Sequence, residues 1–105
     1  MQLVIAVYKL VCLLPQEERF GLADQMRRST VSIPSNIAEG QARNAQRDFV
    51  RFLYIAQGSK AELETQLEIC VQLGYLTAGQ VNPVFQLCDE IGKMCRALIL
   101  KTERK

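Results

Sequence analysis

The chain has no histidine. That removes the commonest general base, the Glu-x-x-His ligands of di-iron bundles and any Ser/His or Cys/His nucleophile pair within one chain. A Gly-rich phosphate loop is missing too, and so is a CxxC pair. No stretch reaches the roughly 18 uninterrupted apolar residues of a bilayer-spanning helix, and none alternates polar with apolar residues as a strand does. These absences predict a protein that is not an enzyme, has no cofactor, metal site or membrane span, and is all-α.

What is present fits one domain spanning residues 1–105. Hydrophobic residues make up 49% and charged residues 23%, the balance of a folded protein rather than a disordered one. A chain this short gains useful burial from association, so a homo-oligomer is expected. Met1 to Leu14 is apolar but has neither a basic leader nor a small-residue cleavage site, and reads as a packed first helix of a cytoplasmic protein. The four cysteines, Cys12, Cys70, Cys88 and Cys95, read as small core residues in a reducing compartment. Cys88 and Cys95 stand about 10.5 Å apart along one helix, too far for a disulfide or a shared tetrahedral zinc.

The helical period predicts four helices. The first runs from about Leu3 to Leu14, burying Val4, Val7, Tyr8, Val11 and Leu14, and stops at Pro15, which then opens the next. The second turns Phe20, Ala23, Met26, Thr30, Ile33 and Ile37 inward, with Arg19, Asp24, Arg27 and Arg28 outward. Pro34 lies inside it and removes the donor for the Thr30 carbonyl, so a bend or a break follows. Asn36 with Glu39 resembles a capping box that could start a new helix after a break; in a bend, the same two side chains would close the hydrogen bonds around Pro34. Gly40 reads as a terminator.

A third helix, from Asn44 or Ala45 to Leu73, carries Phe49, Phe52, Leu53, Ala56, Ser59, Leu63, Leu67, Cys70 and Leu73 on one stripe. Gly58 and Ser59 in its middle allow close approach by a neighbour, and Gly74 ends it. Thr77 with Gln80 forms a capping box, and Asn82-Pro83 offers a second start for the last helix. There Val81, Val84, Cys88, Ile91, Cys95 and Leu98 repeat at three-four spacing, the seam of a shallow-angle bundle.

Several segments carry a family resemblance: Glu17-Glu18-Arg19-Phe20-Gly21-Leu22, Arg27-Arg28, the run Ser32-Ile33-Pro34-Ser35-Asn36-Ile37-Ala38-Glu39-Gly40, Phe52-Leu53, Ile55-Ala56, Gly58-Ser59, Ala61 to Leu67, and Glu90 to Met94. Over nearly its whole length the chain resembles the bacterial four-helix bundle proteins encoded in intervening sequences of 23S ribosomal RNA genes. These in turn resemble the accessory protein of diversity-generating retroelements. The resemblance implies an antiparallel up-and-down bundle, a second helix kinked rather than broken at Pro34, and a ring-shaped homopentamer. It also implies an association with nucleic acid or with a reverse-transcriptase-like protein. Relatives often carry a longer segment before the first helix and more basic residues between Gly40 and Phe49, where this chain has only Arg43 and Arg47.

Charge gives an independent handle. Arg27, Arg28, Arg43, Arg47 and Arg51 stand against only Glu39 and Asp48 between positions 27 and 51, while Glu62, Glu64 and Glu68 make the second half of the third helix acidic. Arg43, Arg47 and Arg51 at i, i+4 and i+8 would line one helix face and fork onto phosphate oxygens. Formal net charge is only +2, which also fits a solvated stripe, but a fivefold ring would multiply the local surplus to about +15. Phe49 and Phe52, the aromatics among these arginines, read as core or interface anchors rather than stacking faces, so binding to RNA or DNA would be blind to sequence. Glu64 and Glu68 could pair on a metal, yet on an exposed helix they read as a solvated face. Two functions follow: a nucleic-acid-associated oligomer whose phosphate contacts are the five arginines, or a structural oligomer that docks a protein partner.

Overall fold

The computed structural model describes residues 1–104, and in them the chain folds as four helices: α1 (Gln2–Val11), α2 (Leu22–Gln41), α3 (Gln46–Gln72) and α4 (Ala78–Glu103), with a 3₁₀ turn at Gln16–Glu18 before α2. Each helix packs on its neighbours in the chain, α1 closes on α4, and among the described residues the backbones of the diagonal pairs stay more than 8 Å apart, Cα to Cα. Short connections force each helix to run back along the last. The result is an antiparallel up-and-down bundle of 47 × 24 × 19 Å.

Local chemistry sets the boundaries. Glu18 Oε1 accepts from the Leu22 N–H at 3.2 Å, placing an anion at the start of α2. Gly74, at φ +80°, supplies the left-handed residue that ends α3. The Tyr75 N–H reaches the Cys70 carbonyl at 2.9 Å and the Gly74 N–H that of Val71 at 3.0 Å, the paired bonds of a Schellman motif. The Thr77 and Gln80 side chains cap each other's backbone N–H, as their spacing predicts. α4 therefore starts at Ala78 and runs through Pro83, and no second start occurs at Asn82.

α2 is likewise continuous through Pro34, so no break follows the proline. Asn36 Nδ2 donates to the Ser32 carbonyl at 2.7 Å and to Ser32 Oγ at 2.8 Å, and Ser32 Oγ lies 2.8 Å from Ser59 Oγ on α3. Pro34 thus sits beside a polar clasp between two helices. Glu39 takes no part in it, because its carboxylate accepts from Arg43 Nη2 at 2.9 Å.

Most of the expected stripes are buried, among them Ala23, Met26, Thr30 and Ile33 on α2, Leu53, Leu63, Leu67 and Cys70 on α3, and Val81, Val84, Cys88 and Cys95 on α4. The exceptions lie near helix ends. Phe20 is 85% exposed, since it falls in the turn before α2, and Leu73 is exposed at the cap of α3. α1 ends at Val11, three residues early, and rotates Leu3 and Leu10 inward in place of Tyr8, which is exposed with Cys12. Gly40 lies within α2 and terminates nothing. A Cβ there would stand 2.8 Å from Phe52 Cβ, so at Gly40 α2 and α3 lie too close for a side chain to come between them. Gly58 does not serve that purpose: nothing lies within 4 Å of the Cβ it lacks.

α1 is short. Its 10 residues cover about 15 Å, against about 40 Å for α3. The core accordingly divides. A larger cluster around Val7, Met26, Leu63, Leu67, Val84 and Cys88 is enclosed by four helices, whereas Leu53, Cys95 and Ile99 sit with half-buried Ile37, Phe49, Val50, Ile91 and Leu98 where α2, α3 and α4 continue past Met1.

Candidate nucleic-acid interface

The five arginines do not form one patch. Arg27 and Arg28 lie in the first turns of α2, and the rest of that helix, about 20 Å at 1.5 Å per residue, separates them from Arg43. Arg28 Nε donates to Asp24 at 2.9 Å, and Arg27 Nη2 donates to the Arg19 carbonyl at 3.1 Å while standing 3.9 Å from Asp24. Their charge is partly answered on their own helix.

Arg43, Arg47 and Arg51 do gather at one end, though not as a helical stripe. α3 begins at Gln46, so Arg43 belongs to the turn after α2 and the expected i, i+8 alignment with Arg51 fails. Phe52 replaces it. The Arg51 guanidinium lies 4.5 Å from the Phe52 ring centroid and that of Arg43 5.2 Å, both within cation–π range. Phe52 is itself buried, so the platform is rigid. Arg43 also pairs with Glu39, whereas among the described residues Arg47 and Arg51 have no carboxylate within 4.0 Å.

The last turn of α4 reaches the same end. Thr102 and Glu103 line a cleft with Gln46, Arg47 and Val50, so their chain neighbours Lys101 and Arg104 lie at this end together with the Glu103 carboxylate. Sequence reasoning missed these two cations, and the inward stripe of α4 continued to Ile99 was the signal that could have found them. The N-terminus of α3 adds unpaired N–H groups, which favour an anion.

Among the described residues no three His, Cys, Asp or Glu side chains gather as a metal site. The cysteines are free thiols. Burial pushes the Cys70 thiol up to about 11 and the Cys88 thiol up to about 12, with Glu18 adding to the first and Glu64 to the second. Burial raises Cys95 as well. Thiols held neutral in this way are poor nucleophiles. Nor, among the described residues, is any helix long and apolar enough to cross a membrane.

Fold and site together define a class, an antiparallel four-helix bundle with cations collected at one end. The chain belongs to the 23S rRNA-intervening sequence protein family, which it matches over residues 1–97. Among solved structures it is similar to a protein of unknown function of the S23 ribosomal protein family from Bacteroides thetaiotaomicron, with a TM-score of 0.87 and 28% identity over 94% of this chain and 93% of that one. No curated protein matches it.

Proposed function

We propose that this chain is a non-enzymatic, self-assembling bundle of the cytoplasm that holds RNA or DNA by its phosphates, through Arg43, Arg47 and Arg51 at the α2–α3 end. The observation that carries the reading is the Phe52 ring, against which two guanidiniums rest, with Arg47 one helical turn from Arg51. Guanidiniums fixed in this way lose little side-chain freedom when they fork onto phosphate. Phe52 is covered by the guanidiniums, and the exposed Tyr54 one turn after Arg51 offers a single face rather than a platform for successive bases, so the contact is sequence-blind.

One protomer carries little net charge, and assembly multiplies it. Ile5, Tyr8, Leu13, Phe20 and Leu73 are large apolar side chains left in solvent, as expected of surfaces that other protein covers. A pentamer is the assembly that the family resemblance implies.

Light scattering combined with titration of a fluorescent single-stranded RNA across salt tests both parts. The wild-type protein is expected to be oligomeric and to retain RNA less as salt rises. Substituting Arg43, Arg47 and Arg51 by glutamate should abolish retention at unchanged mass. Retention that survives the triple substitution rejects the phosphate contacts. Absence of RNA binding by a wild-type oligomer favours the second reading, a structural oligomer that docks a protein such as a reverse transcriptase; the pairing of Arg27, Arg28 and Arg43 with the nearby acids Asp24 and Glu39 of α2 supports that alternative.

A further inference from the structure

The trough that holds α1 runs on past it. α1 packs on both α2 and α4 and turns Leu3, Val7 and Leu10 into the bundle. Beyond Met1 the same two helices continue with a groove of about 330 Å³ between them. Val4 of α1 borders it, with Pro34, Ile37 and Ala38 on the α2 wall and Ile91 and Met94 on the α4 wall. Gln41 is the one polar side chain in the lining. Ile37 and Ile91 are half-buried and Met94 is 45% exposed, so these walls are the bundle seam left uncovered.

The groove also has a charged end. Ile91, Met94, Leu98 and Lys101 recur at three and four residues along α4, which sets Lys101 on the same face, one turn beyond Leu98. Lys101 is exposed and, among the described residues, has no carboxylate within 4.0 Å. From Met94 to Glu103 α4 continues for about 14 Å at 1.5 Å per residue, which leaves room for roughly two to three turns of a further helix.

We infer that this groove seats an amphipathic helix of a partner protein, laid in line with α1 and carrying a carboxylate in its first turn against Lys101. The established packing of α1 shows what the trough takes: a helix with its apolar stripe inward, read as anchors at i, i+3, i+4 and i+7. A helix in that line runs antiparallel to α4, so its N-terminus falls at the Lys101 end. An acid there suits both the lysine and the helix dipole. A second copy is the poorer occupant, because each of its four helices already buries its own stripe and one would have to leave the bundle. The docking draws on none of the phosphate contacts of Arg43, Arg47 and Arg51, so each reading stands or falls alone.

Fluorescence anisotropy tests the seat with a labelled peptide of about 10 residues, lactam-bridged to hold it helical, with leucines at those anchor spacings and glutamate in its first turn. Wild-type protein is expected to bind it saturably. Met94→Glu, on an exposed position, should keep its helical circular dichroism and weaken binding by about tenfold or more. Lys101→Glu should weaken it about threefold, and a peptide with lysine in its first turn should regain the loss. Should Met94→Glu fail to fold, the Lys101 exchange decides alone. No saturable binding by wild type, or binding that either folded variant leaves unchanged, overturns the seat. A wild-type mass that falls on Met94→Glu, with no peptide bound, shows the groove filled by another copy and overturns it too.

Discussion

The half of the bundle that contains α1 and the half beyond it are built from the same kinds of residue, yet they are closed to different degrees. Where α1 lies against α2 and α4, Val7, Met26, Leu63, Leu67 and Cys88 are wholly buried. Past Met1 the buried cluster shrinks to Leu53, Cys95 and Ile99, and Ile37, Phe49, Ile91 and Leu98 around it keep one side toward solvent. A fourth helix wall, more than the hydrophobicity of the seam, decides how complete the core is. The open half is also the half that carries Arg43, Arg47 and Arg51, so charge collects where packing is thinnest.

Large-to-small substitutions give the sharpest test of that contrast. Leu63→Ala in the closed half is expected to lose about 3–5 kcal/mol in urea unfolding, and Leu98→Ala in the open half about 1–2 kcal/mol. Equal losses would break the comparison. Gly40→Ala should cost about 1–3 kcal/mol by forcing Phe52 off its position. The same substitution should weaken RNA retention, because Arg43 and Arg51 rest on that ring; unfolding and binding curves measured on one preparation check both effects.

Buried thiols in both halves make stability depend on pH, with the largest shifts in the closed half. Cys70 and Cys88, in the closed half, have folded pKa values above those of the unfolded chain, so the stability they contribute is complete below about pH 9 and is lost as pH rises toward 11 or 12. At pH 10 the loss is about 1 kcal/mol per thiol. Tyr75, whose hydroxyl donates to Glu18 at 2.9 Å, is raised mainly by that bond and titrates in the same direction. A melting temperature independent of pH between 8 and 10.5 would contradict it. In the native protein Cys12 should react with a disulfide reagent well before the other three. The smallest effect belongs to Phe20→Ser, expected to change stability by less than about 0.5 kcal/mol, since the ring touches little of the core.

Much of this architecture was legible in the sequence. Val81, Val84, Cys88 and Cys95 recur at a spacing that only a bundle seam explains, and the capping box at Thr77 and Gln80 marks the start of α4. The misreadings share a cause. Phe20, Tyr8 and Leu73 extend a period past the point where turn chemistry or helix rotation ends it, and Arg43 was placed on a helix that begins three residues later. A period fixes a stripe but not where it stops. The site was less legible still. Phe52 reads as an ordinary core residue, and its second role depends on Arg43 folding back across a turn. Gly40 and Gly58 carry opposite assignments in sequence and structure because a glycine's neighbours across a helix interface leave no local trace.

The bond from Tyr75 to Glu18 joins residues 57 apart and ties together two of the three interhelix connections. The third, Ala42 to Ala45, is exposed throughout, and Arg43 holds it only to Glu39 and Phe52 of the two helices it joins, with no bond to another connection among the described residues. Opening therefore begins from the untied end. A protease at low dose should nick between α2 and α3 first, severing the chain beside the very cations that a polyanion would shield.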